Sequence, residues 1–366
     1  MDFNIEITDF PSVVHKNIYF GARGITPLEQ SLTFITDPDL RTSCIEFYHF
    51  LMDMLSDMYN NPERYYLPVR MLENYCNGQK VNGLKQKYPS KTKNILAQTG
   101  SVVHGYLVLL YSLVQFGELK NNILTVSNDN LSIIHKRVSS SLSPISLDQR
   151  LDALKNIGLS NNNGEFISLH YPNMFRAMNA LAKKAEKLSG FDFFAFCNLE
   201  FRNLNSKYTP TYEDYFKPLY SSLRKHANTL HVYAVENRMI PSINTYWKVD
   251  YKYKGVKVMF LASHDCNLVV GIIGTYASDD PNLINDRLAK ESPEFQTLAL
   301  RNLWRCNACA TTHLGSMITV LGKKQRVCYG GQIAFKWRNP SDSDLEHIKK
   351  LIQFRLEIID ELKKKK

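Results

Sequence analysis

Residues 146–170 read SLDQRLDALKNIGLSNNNGEFISLH. Ser146 is followed three positions on by Gln149, the signature of a capping box. Leu147, Leu151, Leu154 and Ile157 then recur at helical spacing, and Gly158 is the residue type that ends a helix in the left-handed region. Asn163-Gly164 is the strongest short signal for a type I′ hairpin. The run Leu159 to Gly164 leads through it into Glu165–His170. The stretch predicts a helix and then a hairpin. Upstream, a helix over about 93–116 ends at Gly117. A second starts with Ser127 as N-cap, carries Leu131, Ile134 and Val138 on one face, and breaks at Ser139-Ser140-Ser141 and Pro144. Downstream, a helix from Pro172 buries Met174, Met178, Leu181, Ala185 and Leu188.

Three helices followed by a hairpin, over about Ile95 to His170, resemble a winged-helix module. In the DNA-binding members the third helix enters the major groove and the wing touches the backbone. Carried onto this chain, the resemblance implies nucleic-acid contacts from Gln149, Arg150, Lys155 and Asn156. Lys136, Arg137 and the basic loop holding Lys80, Lys85, Lys87, Lys91 and Lys93 would supply phosphate contacts. Asp148 and Asp152 share the third helix and would face a polyanion. A winged helix used for packing, or for a homodimer, therefore stands beside DNA or RNA binding as an alternative.

A second informative stretch runs from Trp304 to Gly331. Cys306 and Cys309 have the two-residue gap that lets both thiolates reach one tetrahedral ion. His313 and Cys328 complete a candidate set for structural zinc. Short strands on either side of Gly322-Lys323 predict a hairpin that carries Cys328 back towards the CxxC turn. Three other readings remain open, one of them that His313 is only a surface or core histidine. The pair could be redox-active, although a CxxC placed after a helix lacks the dipole that lowers a thiol pKa at a helix N-terminus. All three thiols could also be reduced core residues. CxxC, Leu321-Gly322-Lys323, Cys328-Tyr329-Gly330-Gly331 and a last amphipathic helix resemble a bacterial protein family with no assigned activity. That resemblance covers about 60 residues and implies a bacterial cytosolic origin.

The remaining sequence predicts an α+β protein in two domains. Residues 1–190 form a mostly helical half with the winged-helix-like unit. Residues 191–366 form an antiparallel sheet with helices and the cysteine segment. Residues 1–40 read as irregular, with a helix over about 39–59. Residues 243–276 alternate as a meander with turns at Lys254-Gly255 and at His264-Asp265-Cys266-Asn267. Ser292-Pro293-Glu294 starts one helix and Asn339 to Asp344 caps the last.

The chain has 366 residues, 44% hydrophobic and 22% charged, so a sizeable core is available. A net charge of +10 favours anionic partners. The acidic, mixed start is no signal peptide, and seven cysteines without a regular framework fit a reducing, cytoplasmic setting. The apolar run Val102–Phe116 is too short for a membrane span and predicts a core helix. No P-loop, GxGxxG, HExxH or GxSxG is present, and no residue is assigned a catalytic role. The leading expectation is a nucleic-acid-binding or regulatory protein with structural zinc. The alternatives are an interaction protein without nucleic acid and a thiol-dependent enzyme.

Overall fold

The structure is a computed structural model. It describes residues 3, 5–25, 32–67, 69, 102–138, 145–186, 201–205, 211–217, 219–244, 248–264, 267–273, 282–304, 316–327 and 333–364. It is a mixture of helices and antiparallel sheet and divides into two compact units, Met1–Thr209 and Pro210–Lys366.

The first unit begins with α1 (Val13–Arg23), where the sequence predicts irregular chain. Ser12 caps it, its hydroxyl accepting from the N–H groups of Val14 and His15. Of the prolines and glycines in this stretch, Pro11 and Gly24 flank the helix and Gly21 lies within it. α2 (Pro38–Asn60) starts with Asp37 as N-cap and proline at its first turn. It buries Phe47, Phe50, Leu51, Met54 and Met58. α3 (Val102–Phe116) is apolar around most of its circumference, as expected of a helix with neighbours on several sides. Among the described residues no helix is long and apolar enough to cross a membrane.

After α3 come β1 (Glu118–Lys120) and β2 (Ile123–Thr125), then α4 (Asn128–Val138) and α5 (Leu147–Lys155). The Ser146–Gln149 capping box forms in both directions. β3 (Leu159–Asn162), β4 (Glu165–Ser168) and α6 (Met174–Glu186) complete the run. The strands form one antiparallel sheet in the order β1-β2-β4-β3. Asn163 and Gly164 make the turn with φ of 48° and 90°. A Cβ on Gly164 would lie 2.4 Å from the Val126 carbonyl oxygen, so only glycine fits there. Beyond the hairpin, three contacts fasten the chain to α2. Tyr171 donates to Asp53, Asn173 donates from backbone and side chain to Glu46, and Arg176 pairs with Asp37 and Asp39.

The second unit opens with the short α7 (Tyr212–Phe216) and α8 (Ser221–Glu236). Four strands follow as a meander: β5 (Ile240–Asn244), β6 (Lys248–Tyr253), β7 (Val256–His264) and β8 (Asn267–Ile273). After α9 (Asn282–Ala289) and α10 (Pro293–Arg301), β9 (Ser316–Val320) and β10 (Lys323–Val327) form a separate hairpin that turns on Leu321-Gly322. β11 (Ile333–Arg338) returns to pair with β8, giving the order β11-β8-β7-β6-β5. α11 (Asp342–Lys364) closes the unit. Val249, Tyr251, Leu261, Val270, Ile272, Phe335 and Trp337 turn one face of the sheet into a core shared with α8 and α11.

Candidate nucleic-acid face and anion cleft

Strand alternation sends the next side chains to the opposite face of the five-stranded sheet. Register places Lys336 beside Gly271, Phe260, Asp250 and Ser242 in one row, and Arg338 beside Val269, Ala262 and Lys248 in the next. Lys252 and Lys257 face each other one step further along β6 and β7. Among the described residues this face carries five cations and one carboxylate, Asp250. Phe260 lies flat against β8 because Gly271 has no side chain, and an added Cβ would come within 2.1–2.9 Å of the ring. The ammonium groups of Lys248 and Lys257 stand 4.4 and 5.7 Å from the Phe260 centroid. Both also pair with Asp250, at 3.4 and 2.8 Å. Burial, with the Lys257 charge adding to it, holds the Lys248 pKa below the ordinary lysine value against the pull of Asp250.

The other end of the face is set by a short extension. Leu303 bridges to Phe335, Trp304 N–H donates to the Ala334 carbonyl at 2.7 Å, and Lys336 N–H donates to the Asn302 carbonyl at 2.8 Å. Trp304 thereby lies under Lys336, whose ammonium is 4.0 Å from the ring centroid. The Trp304 ring is half exposed, at 42%. Burial, and then the neighbouring Arg338 charge, lower the Lys336 pKa.

Around the corner from Lys336, the C-terminal end of α10 and the N-terminal end of α11 enclose a cleft of about 400 Å³. Arg301 and Asn302 come from α10 and its C-cap, Trp337 and Arg338 from β11, and Ser343, Asp344 and His347 from α11. Ser341 and Asp344 cap α11 reciprocally. The Ser341 N–H and hydroxyl donate to Asp344 Oδ2 at 2.9 and 2.7 Å, and the Asp344 N–H donates back to Ser341 Oγ at 3.3 Å. Burial of Asp344 opposes its ionisation. The two Ser341 donors, the Trp337 indole N–H facing it without completing a hydrogen bond, and the Arg301 charge outweigh burial and lower its pKa. His347 stacks on Phe295 and its Nδ1 contacts the Ser343 carbonyl at 2.8 Å.

The sequence-predicted nucleic-acid residues lie elsewhere, in the first unit, and most are engaged locally. Arg150 is fully buried. Its guanidinium sits over the Tyr106 ring at 4.9 Å, in space that a side chain on Gly105 would fill. It is therefore no surface contact, which corrects its place on the reading face. Gln149 closes the capping box, Lys155 pairs with Asp152 at 3.2 Å, and the Asn156 amide donates to the Ala153 carbonyl. Arg137 folds back on α3, bonding Ser112 and Gln115 above the Tyr111 and Phe116 rings. Lys136 is exposed.

Cys306, Cys309, His313 and Cys328 lie outside the described residues, as do the basic loop 80–93 and Asp265-Cys266. Among the described residues no group of three or more His, Cys, Asp or Glu could hold a metal. The described residues that flank the cysteine segments are paired. Trp304 is bonded to Ala334, and Ser316 stands opposite Val327. Cys44 is buried, and burial pushes its thiol up to about 12, far from a nucleophile's range. The basic face escaped sequence reading because its cations come from three strands. The alternation of Lys248, Asp250 and Lys252 around Val249 and Tyr251 was its visible signal. Comparison with family models, with curated proteins and with solved structures returns no match.

Proposed function

We propose that the chain is a nucleic-acid-binding regulatory protein with a structural zinc. Its contact surface is the sheet face turned away from α8 and α11. The observation that carries this reading is the row of Lys248, Lys252, Lys257, Lys336 and Arg338 interleaved with Phe260 and the half-exposed Trp304. Cations neutralise phosphates, and an exposed aromatic ring offers a stacking surface to any base, a combination suited to single strands. The net charge of +10 agrees with it. The first unit supports a winged-helix reading through its order α3, β2, α4, α5, β3, β4, with β4 between β2 and β3. Its nucleic-acid role recedes, because Asp148 and Asp152 remain outward on α5 and Arg150 is inside.

The zinc belongs to the same proposal. The segment 305–315 runs from Trp304 to Ser316, and 328–332 runs from Val327 to Ile333. The pairing of these flanks supports a site shared by Cys306, Cys309, His313 and Cys328. A cytosolic setting goes with it, since zinc thiolates need a reducing compartment.

Filter binding of single-stranded and duplex oligonucleotides across salt concentrations tests the reading. Affinity should fall steeply with salt. Joint substitution of Lys252, Lys336 and Arg338 by Gln should flatten the slope by roughly 0.7 log units per contact removed from a single strand. Binding that is indifferent to salt and to those substitutions would reject it. Elemental mass spectrometry should return about one zinc per chain, lost with Cys309→Ser.

A second reading, an interaction protein without nucleic acid, is favoured by one observation. The hairpin's exit is clamped to α2 through Tyr171, Asn173 and Arg176, which suits a winged-helix unit used for packing or for a homodimer. The thiol-enzyme alternative finds no support at Cys44.

A further inference from the structure

The cleft between α10 and α11 carries chemistry that the sheet face does not explain. Two guanidinium groups from different elements, Arg301 and Arg338, line it, and neither makes a hydrogen bond or an ion pair among the described residues. Elsewhere in this unit several cations find carboxylates: Arg287 pairs with Glu357 and Glu361, Lys254 with Asp360, and Lys350 with Glu291. Arg301 and Arg338 form no such ion pair among the described residues, and both line one cavity.

Asn302 and Ser343 also line it; the Asn302 amide donates to the Leu298 carbonyl, and the Ser343 hydroxyl is 2.9 Å from that of Ser341. The N-terminus of the 23-residue α11 faces the cleft, adding its positive end. Trp337 is 3% exposed and lines the cavity, and its indole N–H faces Asp344 without completing a hydrogen bond. Asp344 is the single carboxylate in the lining; its Oδ2 accepts from both Ser341 donors, and the Arg301 charge acts on it.

We propose that this cleft binds a phosphate monoester, with Arg301 and Arg338 gripping its terminal oxygens. A carboxylate is a planar monoanion that one guanidinium satisfies bidentately. Two unpaired guanidiniums on separate elements match the charge of a phosphate monoester, about −1.5 to −2 at neutral pH, and its three terminal oxygens. The volume of about 400 Å³ exceeds what a bare phosphate fills and leaves room for the group that bears it. Two sources offer this chemistry: a free nucleoside monophosphate, or the phosphorylated 5′ end of a nucleic-acid strand. The inference stands without the sheet-face reading for the first source and rests on it for the second.

Isothermal titration of the full chain tests it. The probes are a nucleoside monophosphate, inorganic phosphate, and short single strands with either a 5′-phosphate or a 5′-hydroxyl. The monophosphate should bind, and Arg301→Gln and Arg338→Gln should each weaken it about tenfold or more, as expected for a lost charge-assisted bond. Lys252→Gln, on the sheet face, should leave monophosphate binding unchanged. A strand that gains affinity from its 5′-phosphate, and loses only that gain in Arg301→Gln, identifies the strand end as the source. A monophosphate bound as tightly as the phosphorylated strand identifies the free ligand. Loss of strand binding in Lys252→Gln with monophosphate binding intact keeps the two sites distinct. Failure of every phosphate probe to bind, or binding indifferent to both arginine variants, overturns the proposal. Matching thermal midpoints for the variants confirm that a loss of binding is not a loss of fold.

Discussion

His231, on α8, is held in an aromatic enclosure. Tyr212 stacks on its ring at 3.6 Å, and its Nδ1 is hydrogen-bonded to the buried Tyr251 hydroxyl at 2.8 Å. Burial lowers its pKa, with Glu213 opposing, so the folded chain prefers the neutral imidazole. The unfolded chain binds the proton first as pH falls. The stability that this histidine contributes is therefore complete above the ordinary value near 6.5 and is lost as pH drops through it towards the folded value. Urea unfolding from pH 7.5 to 5.5 should show wild type losing stability faster than His231→Gln on the acid side. Parallel curves would remove this residue from the pH response. Arg150 shows what a single residue reveals and hides. It shares its helix face with Leu147, Leu151 and Leu154, so the spacing that predicts the core includes it. Its charge argues for the surface, and only the space opposite, left by Gly105, decides the matter. That space belongs to another helix and is not visible in the local pattern.

Among elements, β7 and β8 depend on a missing side chain. Gly271→Ala would drive a methyl into the Phe260 ring, and overpacking of this kind costs about 1–3 kcal/mol. The urea midpoint should fall accordingly, and Phe260→Leu on the same background should recover part of the loss. An unchanged midpoint would mean that the ring moves freely. Elements with strong local signals were legible: the α5 capping box, the Asn163-Gly164 turn, the Pro293 helix start and the amphipathic α11. β1 and β2 were not. They are three residues each, and their turn uses Asn121-Asn122, both at positive φ, in place of an Asn-Gly pair. α1 was missed because the surrounding prolines and glycines suggest extended chain, while its own Ser12 cap was the better guide. The cleft was illegible for a different reason: its two arginines stand far apart in the chain, and only the return of β11 to β8 brings them together.

At the scale of the molecule, the second unit has its own core. Every member of the cluster that includes Leu230, Val249, Val270, Phe335 and Ile352 comes from Pro210–Lys366. A fragment of those residues should unfold cooperatively on its own, with a single urea transition seen alike by tryptophan fluorescence and circular dichroism. A broad, non-cooperative loss of signal would show that the unit depends on the rest of the chain. Sheet connectivity also sets an order of assembly. β5 to β8 join neighbours across short turns, whereas every β11–β8 pair links residues at least 60 positions apart. Such distant closure is slow, so the four-stranded meander forms before its fifth strand arrives. On the ribosome β8, with Leu268, Val270, Ile272 and Ile273, emerges well before β11 is synthesised. Until then its edge is an unpaired apolar template, and the nascent chain at that stage is the form most prone to mispair with a neighbouring copy.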